Sequence, residues 1–362
     1  MQRESTCHSK LSNHPNRFFL PMYELLDSWI TPWAHQSYGL YLCVLTLCII
    51  TGFFLLTKGG DWLSDHSSNI ACQLGIPPVV VGLTIVSIAT STPELFTSLS
   101  ALRSGSPGLV LGNIIGSNIA NVGLILGIAL LLGNISTKGA VSQAQRHCLS
   151  WITIGFCLAL VFLPRGELGI IPGTLLLVFI VVYLILVSFH ALKNKGSNRT
   201  FQELGQVENS PSSSLLISII MLILATLTLW LGSDSLIYGS KSLALIVGVP
   251  EELIGFTLLA IGTSLPELAA SISLIRKAQT SMLLGNIVGS NLFNLSLIGG
   301  LAGVLGPICS GAPYPWIDYL SLLLTTGILI YWLGGKRLAR NHGVILLCLY
   351  LLASISTWLI NS

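Results

Sequence analysis

The feature that most constrains this chain is an internal repeat. Residues 82–127 align with residues 255–300 at a constant offset of 173, without a gap, and 22 of the 46 positions are identical. The same offset continues upstream, where Asp61 matches Asp234. A repeat at a fixed spacing indicates a duplicated structural unit. We therefore expect two structurally related halves.

The composition indicates which solvent surrounds these halves. Of the 362 residues, 52% are hydrophobic and 9% are charged, whereas soluble domains carry about 25% charged residues. We therefore predict a surface that faces a lipid bilayer. The net charge of +3 is small and scattered, which argues against nucleic acid as a partner. The eight cysteines are dispersed without a CxxC pair, so we expect neither a disulfide framework nor a zinc site, and no cofactor.

The apolar runs predict membrane spans, because about 17–25 apolar residues are enough to cross a bilayer as a helix. Ten runs qualify, near residues 38–57, 77–103, 108–133, 148–164, 168–192, 214–243, 249–275, 280–304, 315–333 and 342–360. The expected fold is an all-α membrane protein with ten transmembrane helices in two five-helix repeats. Its expected parts are an N-terminal tail (1–37), a first repeat (38–193), a cytoplasmic linker (194–213) and a second repeat (214–362).

The number of spans predicts the orientation of the repeats. Because each repeat has an odd number of spans, the second copy enters the membrane from the opposite side, which makes the repeat inverted. If the N-terminus lies outside, the cytoplasmic loops carry eleven Lys and Arg residues and the outer loops carry three, the tail being left out. By the positive-inside rule, both termini are then extracytoplasmic.

Each repeat places an acidic residue in the middle of an apolar span. Glu94 lies within the motif ATSTPEL, and Glu267 lies within the motif GTSLPEL. A charged side chain at the bilayer centre costs about 2.5–3.5 kcal/mol even on lenient scales. No Lys or Arg lies at a comparable position in these spans to pair with either carboxylate. The two glutamates therefore predict a cation site.

Residues beside the glutamates extend this prediction. Pro93 and Pro266 each remove an amide donor, which predicts helix breaks near Ala89 and Gly262 and free backbone carbonyls at mid-membrane. Hydroxyl residues three and four positions before each glutamate are expected to share its helix face. These residues are Thr90 and Ser91 in the first repeat and Thr263 and Ser264 in the second.

The next span of each repeat carries a polar stripe, in GNIIGSNIAN and GNIVGSNLFN. Its members recur every four residues: Asn113, Ser117 and Asn121, and then Asn286, Ser290 and Asn294. The glycines of both motifs form faces that allow close helix packing. With the glutamates, the stripe makes an all-oxygen ligand set, which suits Ca²⁺ or Na⁺ better than zinc or copper. Two carboxylates balance one divalent ion, and competition with Na⁺ for them would be the basis of exchange.

At these motifs the sequence resembles the Na⁺/Ca²⁺ exchanger branch of the Ca²⁺/cation antiporter superfamily, and within it the short prokaryotic type. The resemblance covers all ten predicted spans. It implies an antiporter rather than an enzyme. The antiporter would lie in the plasma (inner) membrane, work as a monomer and export Ca²⁺ electrogenically. It also implies alternating access, in which long first and sixth spans slide over the remaining helices.

The resemblance further implies a role for each matching residue. Glu94 and Glu267 would bind Ca²⁺ with the help of oxygens from Thr90 and Thr263. The flanking Na⁺ positions would use the side chains of Ser91, Ser117, Ser264 and Ser290 and the backbone carbonyls of Ser87 and Ala260. The central position would be lined by Asn121 and Asn294.

Some alternatives stay open. Ala89 departs from the usual GTS of the first motif, and Asn294 replaces an Asp that some relatives carry, which argues against K⁺ co-transport. The acidic residue and His of the second motif of proton-coupled relatives are absent. Ca²⁺/H⁺ exchange, K⁺-dependent exchange and a cation channel remain alternatives, while the absence of HExxH argues against a membrane protease. Asp61 and Asp234, at equivalent ends of the first and sixth spans, are expected to act as interfacial anchors.

Overall fold

The fold is known from a computed structural model, which describes residues 38–103, 107–138, 141–162, 168–193, 213–247, 262–306 and 316–361. The predicted tail and nearly all of the predicted linker lie outside the described residues. In chain order, the elements are α1 (Tyr38–Leu74), α2 (Pro78–Thr90), α3 (Thr92–Arg103), α4 (Pro107–Ala120, Asn121–Leu126 and Gly127–Leu132), β1 (Ile135–Ser136), α5 (Gln143–Phe162), α6 (Ile170–Lys193), α7 (Leu215–Ile246), α8 (Leu265–Arg276), α9 (Thr280–Phe293, Asn294–Ile298 and Gly299–Leu305), α10 (Trp316–Trp332), β2 (Arg337–Leu338) and α11 (Arg340–Asn361).

Long apolar helices dominate the described part of the chain. Five of them, α1, α4, α6, α7 and α9, are long and apolar enough to cross a membrane, and α2 and α3 form a further candidate that is bent by 43°. Large apolar side chains point outward from α6, where Ile171 is 76% exposed. An exposed apolar surface of this extent is expected to contact lipid. The prediction of a helical membrane protein is confirmed, while the count of ten spans stays a prediction.

Helix α1 is longer than the predicted span 38–57. It continues to Leu74, and its 37 residues extend over about 55 Å, well beyond the hydrocarbon thickness of about 30 Å. The polar residues after Thr57 looked like a loop, but they pack against other parts of the fold. The Ser64 hydroxyl donates to the Gln279 side chain at 3.1 Å, and the Asn69 amide donates to the Ser213 carbonyl at 3.0 Å.

The longer helix also corrects the role expected for the two aspartates. Asp61 lies inside α1 and Asp234 lies inside α7, so neither is at the end of its helix. The Ser273 hydroxyl of α8 donates to the Asp61 carboxylate at 2.7 Å, and the Lys277 ammonium lies 3.8 Å from it. Asp61 thus ties α1 to α8 rather than anchoring a helix end at the interface.

Helices α1 and α7 pack closely in antiparallel directions. A Cβ atom placed on Gly52 would lie 2.7 Å from the backbone nitrogen of Leu236, and one placed on Gly239 would lie 2.8 Å from the Leu45 carbonyl oxygen. The order of these contacts along the two helices is reversed, which shows that the helices are antiparallel. Since nothing larger than hydrogen fits at these glycines, the two backbones are in direct contact.

Helices α4 and α9 form the buried centre of the fold. In their most apolar windows, 78% and 83% of the residues are buried, whereas the corresponding share in α1 and α6 is 17%. Helix α2 packs directly on α9, because a Cβ atom on Gly82 would overlap the Met282 carbonyl and one on Gly285 would overlap the Val79 carbonyl. The close packing predicted from the second glycine motif is confirmed at Gly285.

A short ribbon joins the ends of two helical hairpins. Strands β1 and β2 are antiparallel, with Ile135 opposite Leu338. The Thr137 backbone amide extends the ribbon by donating to the Lys336 carbonyl at 3.0 Å, and the Thr137 hydroxyl lies within 2.9 Å of both the Trp332 and the Lys336 carbonyl. The sequence pattern had not indicated these strands, which contain two residues each. The ribbon attaches the end of α4 to the connection between α10 and α11.

Candidate functional site

Two helix breaks shape the centre of the molecule. They lie at Ser91 and Ser264, two residues nearer the glutamates than predicted, where ψ is 6° and 5° instead of the helical value near −42°. Pro93 and Pro266 are the second residues of α3 and α8. A proline is tolerated in the first turn of a helix, where its missing amide has no intrahelical partner. The new helix therefore begins just before each proline.

Glu94 and Glu267 occupy the first turns of α3 and α8 and are fully buried. The two carboxyl groups are close enough to interact electrostatically. The positive end of a helix dipole favours a carboxylate at this position. Neither carboxylate forms an ion pair with a Lys or Arg among the described residues. Two buried like charges without a counter-charge are strongly unfavourable, so this pair requires a cation or protons.

Serines from the two repeats cross over to bind these carboxylates. The Ser91 hydroxyl donates to Glu267 Oε1 at 3.0 Å, and the Ser264 hydroxyl donates to Glu94 Oε1 at 3.5 Å. The expectation that each serine shares a helix face with its own glutamate was wrong. Because the helix ends at the serine, the spacing of a continuous helix does not apply. Each serine reaches the glutamate of the other repeat instead.

Threonines and asparagines form a second set of crossed contacts. The Thr90 hydroxyl donates to Asn286 Oδ1, and the Thr263 hydroxyl donates to Asn113 Oδ1, both at 3.3 Å. The Asn113 amide also donates to the Glu94 backbone carbonyl at 3.1 Å. The sequence places both asparagines on the polar stripes, but neither was assigned an individual role in cation binding. Their shared offset of 173 was the available signal.

The remaining members of the stripes are also buried at this centre: Ser117, Asn121, Ser290 and Asn294 are each at most 2% exposed. The Asn121 amide donates to Asn291 Oδ1 at 3.0 Å. The Ser290 hydroxyl, both side-chain polar atoms of Asn294 and the Oε2 atoms of both glutamates have no hydrogen-bond partner among the described residues. Buried polar atoms nearly always have partners, so this concentration of polar atoms without a described partner indicates a ligand.

The backbone carbonyls predicted as ligands are only partly described. The Ser87 carbonyl accepts the Ser91 amide at 2.9 Å and faces the Thr90 hydroxyl at 3.5 Å. Ala260 lies outside the described residues. The proposed role of these carbonyls stays a prediction.

The two central asparagines each begin a π-helical turn. These turns are Asn121–Leu126 in α4 and Asn294–Ile298 in α9. Such turns are frequent at functional sites, because the additional residue shifts the side chains that follow. The residue patterns of the two segments do not predict these turns.

The chemistry of the site follows from its atoms. Within the described ranges, no three His, Cys, Asp or Glu side chains lie close enough together to hold one metal ion. A cation at Glu94 and Glu267 would therefore be completed by hydroxyl, amide and backbone oxygens. Hard cations such as Ca²⁺ and Na⁺ prefer ligands of this kind.

Comparisons with known proteins agree with this chemistry. The model of the family described as "Sodium/calcium exchanger protein" matches residues 44–189 and 217–359. The putative antiporter CaxA of Alkalimonas amylolytica is 32% identical over 86% of this chain and 97% of its own length. The sodium/calcium exchanger MaX1 of Methanosarcina acetivorans is 31% identical over 84% of this chain and 95% of its own length. A structure of the sodium-calcium exchanger NCX_Mj superposes with a TM-score of 0.73 at 27% identity, covering 87% of this chain and 99% of that one.

Proposed function

Because this chain belongs to the sodium/calcium exchanger family, we propose that it exchanges Na⁺ for Ca²⁺ across a membrane through the site around Glu94 and Glu267. Family membership makes it an integral multi-pass membrane protein and a cation antiporter rather than an enzyme. The choice of Na⁺ and Ca²⁺, the direction of transport and the inner membrane as its location are parts of the proposal.

The observation that carries the proposal is the crossed bonding of the two glutamates. Ser91 of the first repeat binds Glu267 of the second, and Ser264 binds Glu94 in return. Two fully buried carboxylates neutralise one divalent ion or bind Na⁺ in its place. Since both kinds of cation need the same carboxylates, loading of one excludes the other, which is what exchange requires.

We assign the individual ligands as the resemblance to the family implies. Ca²⁺ would bind Glu94 and Glu267, assisted by Thr90 and Thr263. Na⁺ would bind beside them at Ser91, Ser117, Ser264 and Ser290 and at the carbonyls of Ser87 and Ala260, with Asn121 and Asn294 at the centre. No resident cofactor takes part.

The proposed mechanism is alternating access by a monomer with ten transmembrane spans in two inverted repeats and with both termini outside. The paired helices α1 and α7 would slide over α8 and the centre of the fold and open the site to each side in turn. Exchange of more than two Na⁺ for each Ca²⁺ would move net charge. Each charge moved across 100 mV supplies about 2.3 kcal/mol, which would drive Ca²⁺ export.

The direct test is Ca²⁺ flux into proteoliposomes under an imposed Na⁺ gradient. We expect flux that follows the gradient and responds to a membrane potential. Loss of one buried charge from such a cluster costs about 2–5 kcal/mol, so Glu94→Gln and Glu267→Gln should each weaken Ca²⁺ affinity by about 30-fold or more.

A matched control is Asp318→Asn, which changes a buried carboxylate on α10 that is not among the proposed ligands. The Thr357 hydroxyl donates to Asp318, and an amide oxygen can still accept this bond. This variant should retain exchange. Flux that ignores the Na⁺ gradient, or that persists in both glutamine variants, would contradict the proposal.

Proton coupling is the second candidate, favoured by the same pair of buried carboxyl groups. Two neighbouring acids without a described basic partner can be neutralised by protons as well as by a cation. A pH gradient in Na⁺-free vesicles distinguishes the two functions. Ca²⁺ flux driven by this gradient alone would favour Ca²⁺/H⁺ exchange, and a dependence on K⁺ would indicate K⁺ co-transport.

A further inference from the structure

A second pair of asparagines lies behind the site and was not part of the predicted ligand set. Asn118 and Asn291 correspond at the offset of 173, and both are fully buried. The Asn291 side chain links the two repeats. Its Oδ1 accepts the Asn121 amide at 3.0 Å, and its Nδ2 faces the Asn118 backbone carbonyl at 3.5 Å.

These contacts determine which way each amide faces. A backbone carbonyl can only accept, so Asn291 must present its NH₂ group to Asn118 and its oxygen to Asn121. Asn121 must then present its own NH₂ group to Asn291. Its Oδ1 points away from that bond, is buried and has no hydrogen-bond partner among the described residues.

The residue that corresponds to Asn291 in the first repeat, Asn118, makes a different contact. The Asn118 amide donates to the Ile114 carbonyl of its own helix at 2.7 Å. Asn294, the counterpart of Asn121, has no described hydrogen-bond partner at either side-chain polar atom. The side chains of Asn121 and Asn294 therefore differ in their described hydrogen bonds, although the two residues correspond at the offset of 173.

From this asymmetry we propose that Asn291 is a positioning residue for cation binding: it holds the Asn121 amide so that the oxygen, not the NH₂ group, faces the cation. This inference rests on the proposed role of Asn121 as a ligand. Without Asn291, the Asn121 amide can turn by 180° and present hydrogen atoms to a positive ion. Asn291 itself does not touch the cation.

A double-mutant cycle tests this role. Ca²⁺ and Na⁺ binding are measured by calorimetry on the purified full-length protein for wild type, Asn121→Ala, Asn291→Ala and the double variant. We expect Asn291→Ala to weaken the affinity for at least one of the two ions by about three- to tenfold, the usual effect of losing one hydrogen bond. In the Asn121→Ala background the same change should have less than a twofold effect, because Asn291 then has no amide to hold.

Asn118→Ala is the matched control, since it removes the corresponding buried amide, whose bond stays within its own helix. It should lower the unfolding temperature without a comparable loss of affinity. If Asn291→Ala does not fold, Asn291→Ser replaces it in the same cycle. Equal losses of affinity with and without Asn121, or an equal loss from Asn118→Ala, would overturn the inference.

The same preparations separate this inference from the proposed function. Suppose that the wild-type protein binds cations and the double-mutant cycle shows the expected coupling, but no Na⁺-driven Ca²⁺ flux is found. This result would contradict the exchange activity only. Wild-type flux with an additive cycle would contradict only the role of Asn291. Failure of the wild-type protein to bind either cation would overturn both.

Discussion

At the scale of single residues, each repeat completes the site of the other. Ser91 and Ser264 donate to carboxylates on the opposite repeat, and Thr90 and Thr263 reach asparagines on the opposite repeat. No single repeat holds a full set of these contacts. The site therefore exists only when the two repeats are packed against each other.

The serine contacts can be tested one at a time. Ser91→Ala should weaken Ca²⁺ binding by at least about tenfold, because a hydrogen bond to a charged group contributes about 1.5–3 kcal/mol. Ser264→Ala should have a smaller effect, since its hydroxyl lies 3.5 Å from the carboxylate rather than 3.0 Å. Titration of purified protein with Ca²⁺ measures both. Ser91→Thr keeps the hydroxyl and is the control; an unchanged affinity in Ser91→Ala would refute the contact's importance.

At the scale of helices, glycine determines how the mobile part of the proposed mechanism is built. Gly52 and Gly239 place the backbones of α1 and α7 in contact, and the Ser235 hydroxyl donates to the Cys48 carbonyl at 2.9 Å between them. A pair of helices packed in this way moves as one body more readily than as two. Lys277, the residue after α8, forms a salt bridge with Asp65 of α1 at 2.7 Å, and this pair is partly exposed. Exposed ion pairs contribute about 0–1 kcal/mol, so this link can break during transport.

The helix contact predicts opposite effects for two Gly→Ala changes. Gly155→Ala in α5 has no described atom within 4 Å of the added Cβ, so the better helix propensity of alanine should stabilise the protein slightly. Gly52→Ala must push α7 away, because backbone atoms of Leu236 and Gly232 lie at 2.7 and 2.8 Å. Overpacking of this kind costs about 1–3 kcal/mol. Thermal unfolding in detergent should show a lower midpoint for Gly52→Ala only. Equal midpoints for the two variants would mean that α1 and α7 are not in close backbone contact at Gly52.

At the scale of the whole molecule, the two repeats are alike around the site and unequal away from it. The crossed serine and threonine contacts obey the offset of 173, but the asparagines behind the site do not. Helix α1 has 37 residues and α7 has 32, and α1 contacts Ser273 of α8 and Lys277 just after α8. In the proposed mechanism, movement of α1 and α7 against α8 changes access while the contacts of the site persist.

Cross-linking tests this movement in a background without other cysteines. A short bis-methanethiosulfonate cross-linker, which forms a disulfide with each thiol, should stop exchange when it joins Asp61→Cys on α1 to Ser273→Cys on α8, because these two side chains join parts that must slide. A thiol reductant cleaves both disulfides and should restore exchange. The control joins the native Cys48 to Ser235→Cys, which links α1 to α7 inside the proposed moving body. That link should leave exchange intact. Full activity of the α1–α8 cross-linked protein in vesicles would rule out sliding at this contact.

Part of this structure was predictable because it depends on local cost and pattern. Apolar runs predicted where α4, α6 and α9 lie, and the expense of a buried carboxylate singled out Glu94 and Glu267. The predicted length of α1 was too short because a polar segment avoids lipid either by forming a loop or by packing against other helices. Only the positions of those other helices distinguish the two cases. The π turns and the break at Ser91 likewise depend on packing around them.

The sequence by itself determined that this protein lies in a membrane, is duplicated and concentrates oxygen ligands around two glutamates. These properties follow from the transfer cost of each residue and from a linear alignment of the chain with itself. Only the tertiary structure decided that Ser91 donates a hydrogen bond to Glu267 and that Asn291 accepts one from Asn121. These pairs are 176 and 170 residues apart, and hydrogen bonds form only where folding brings atoms within about 3 Å.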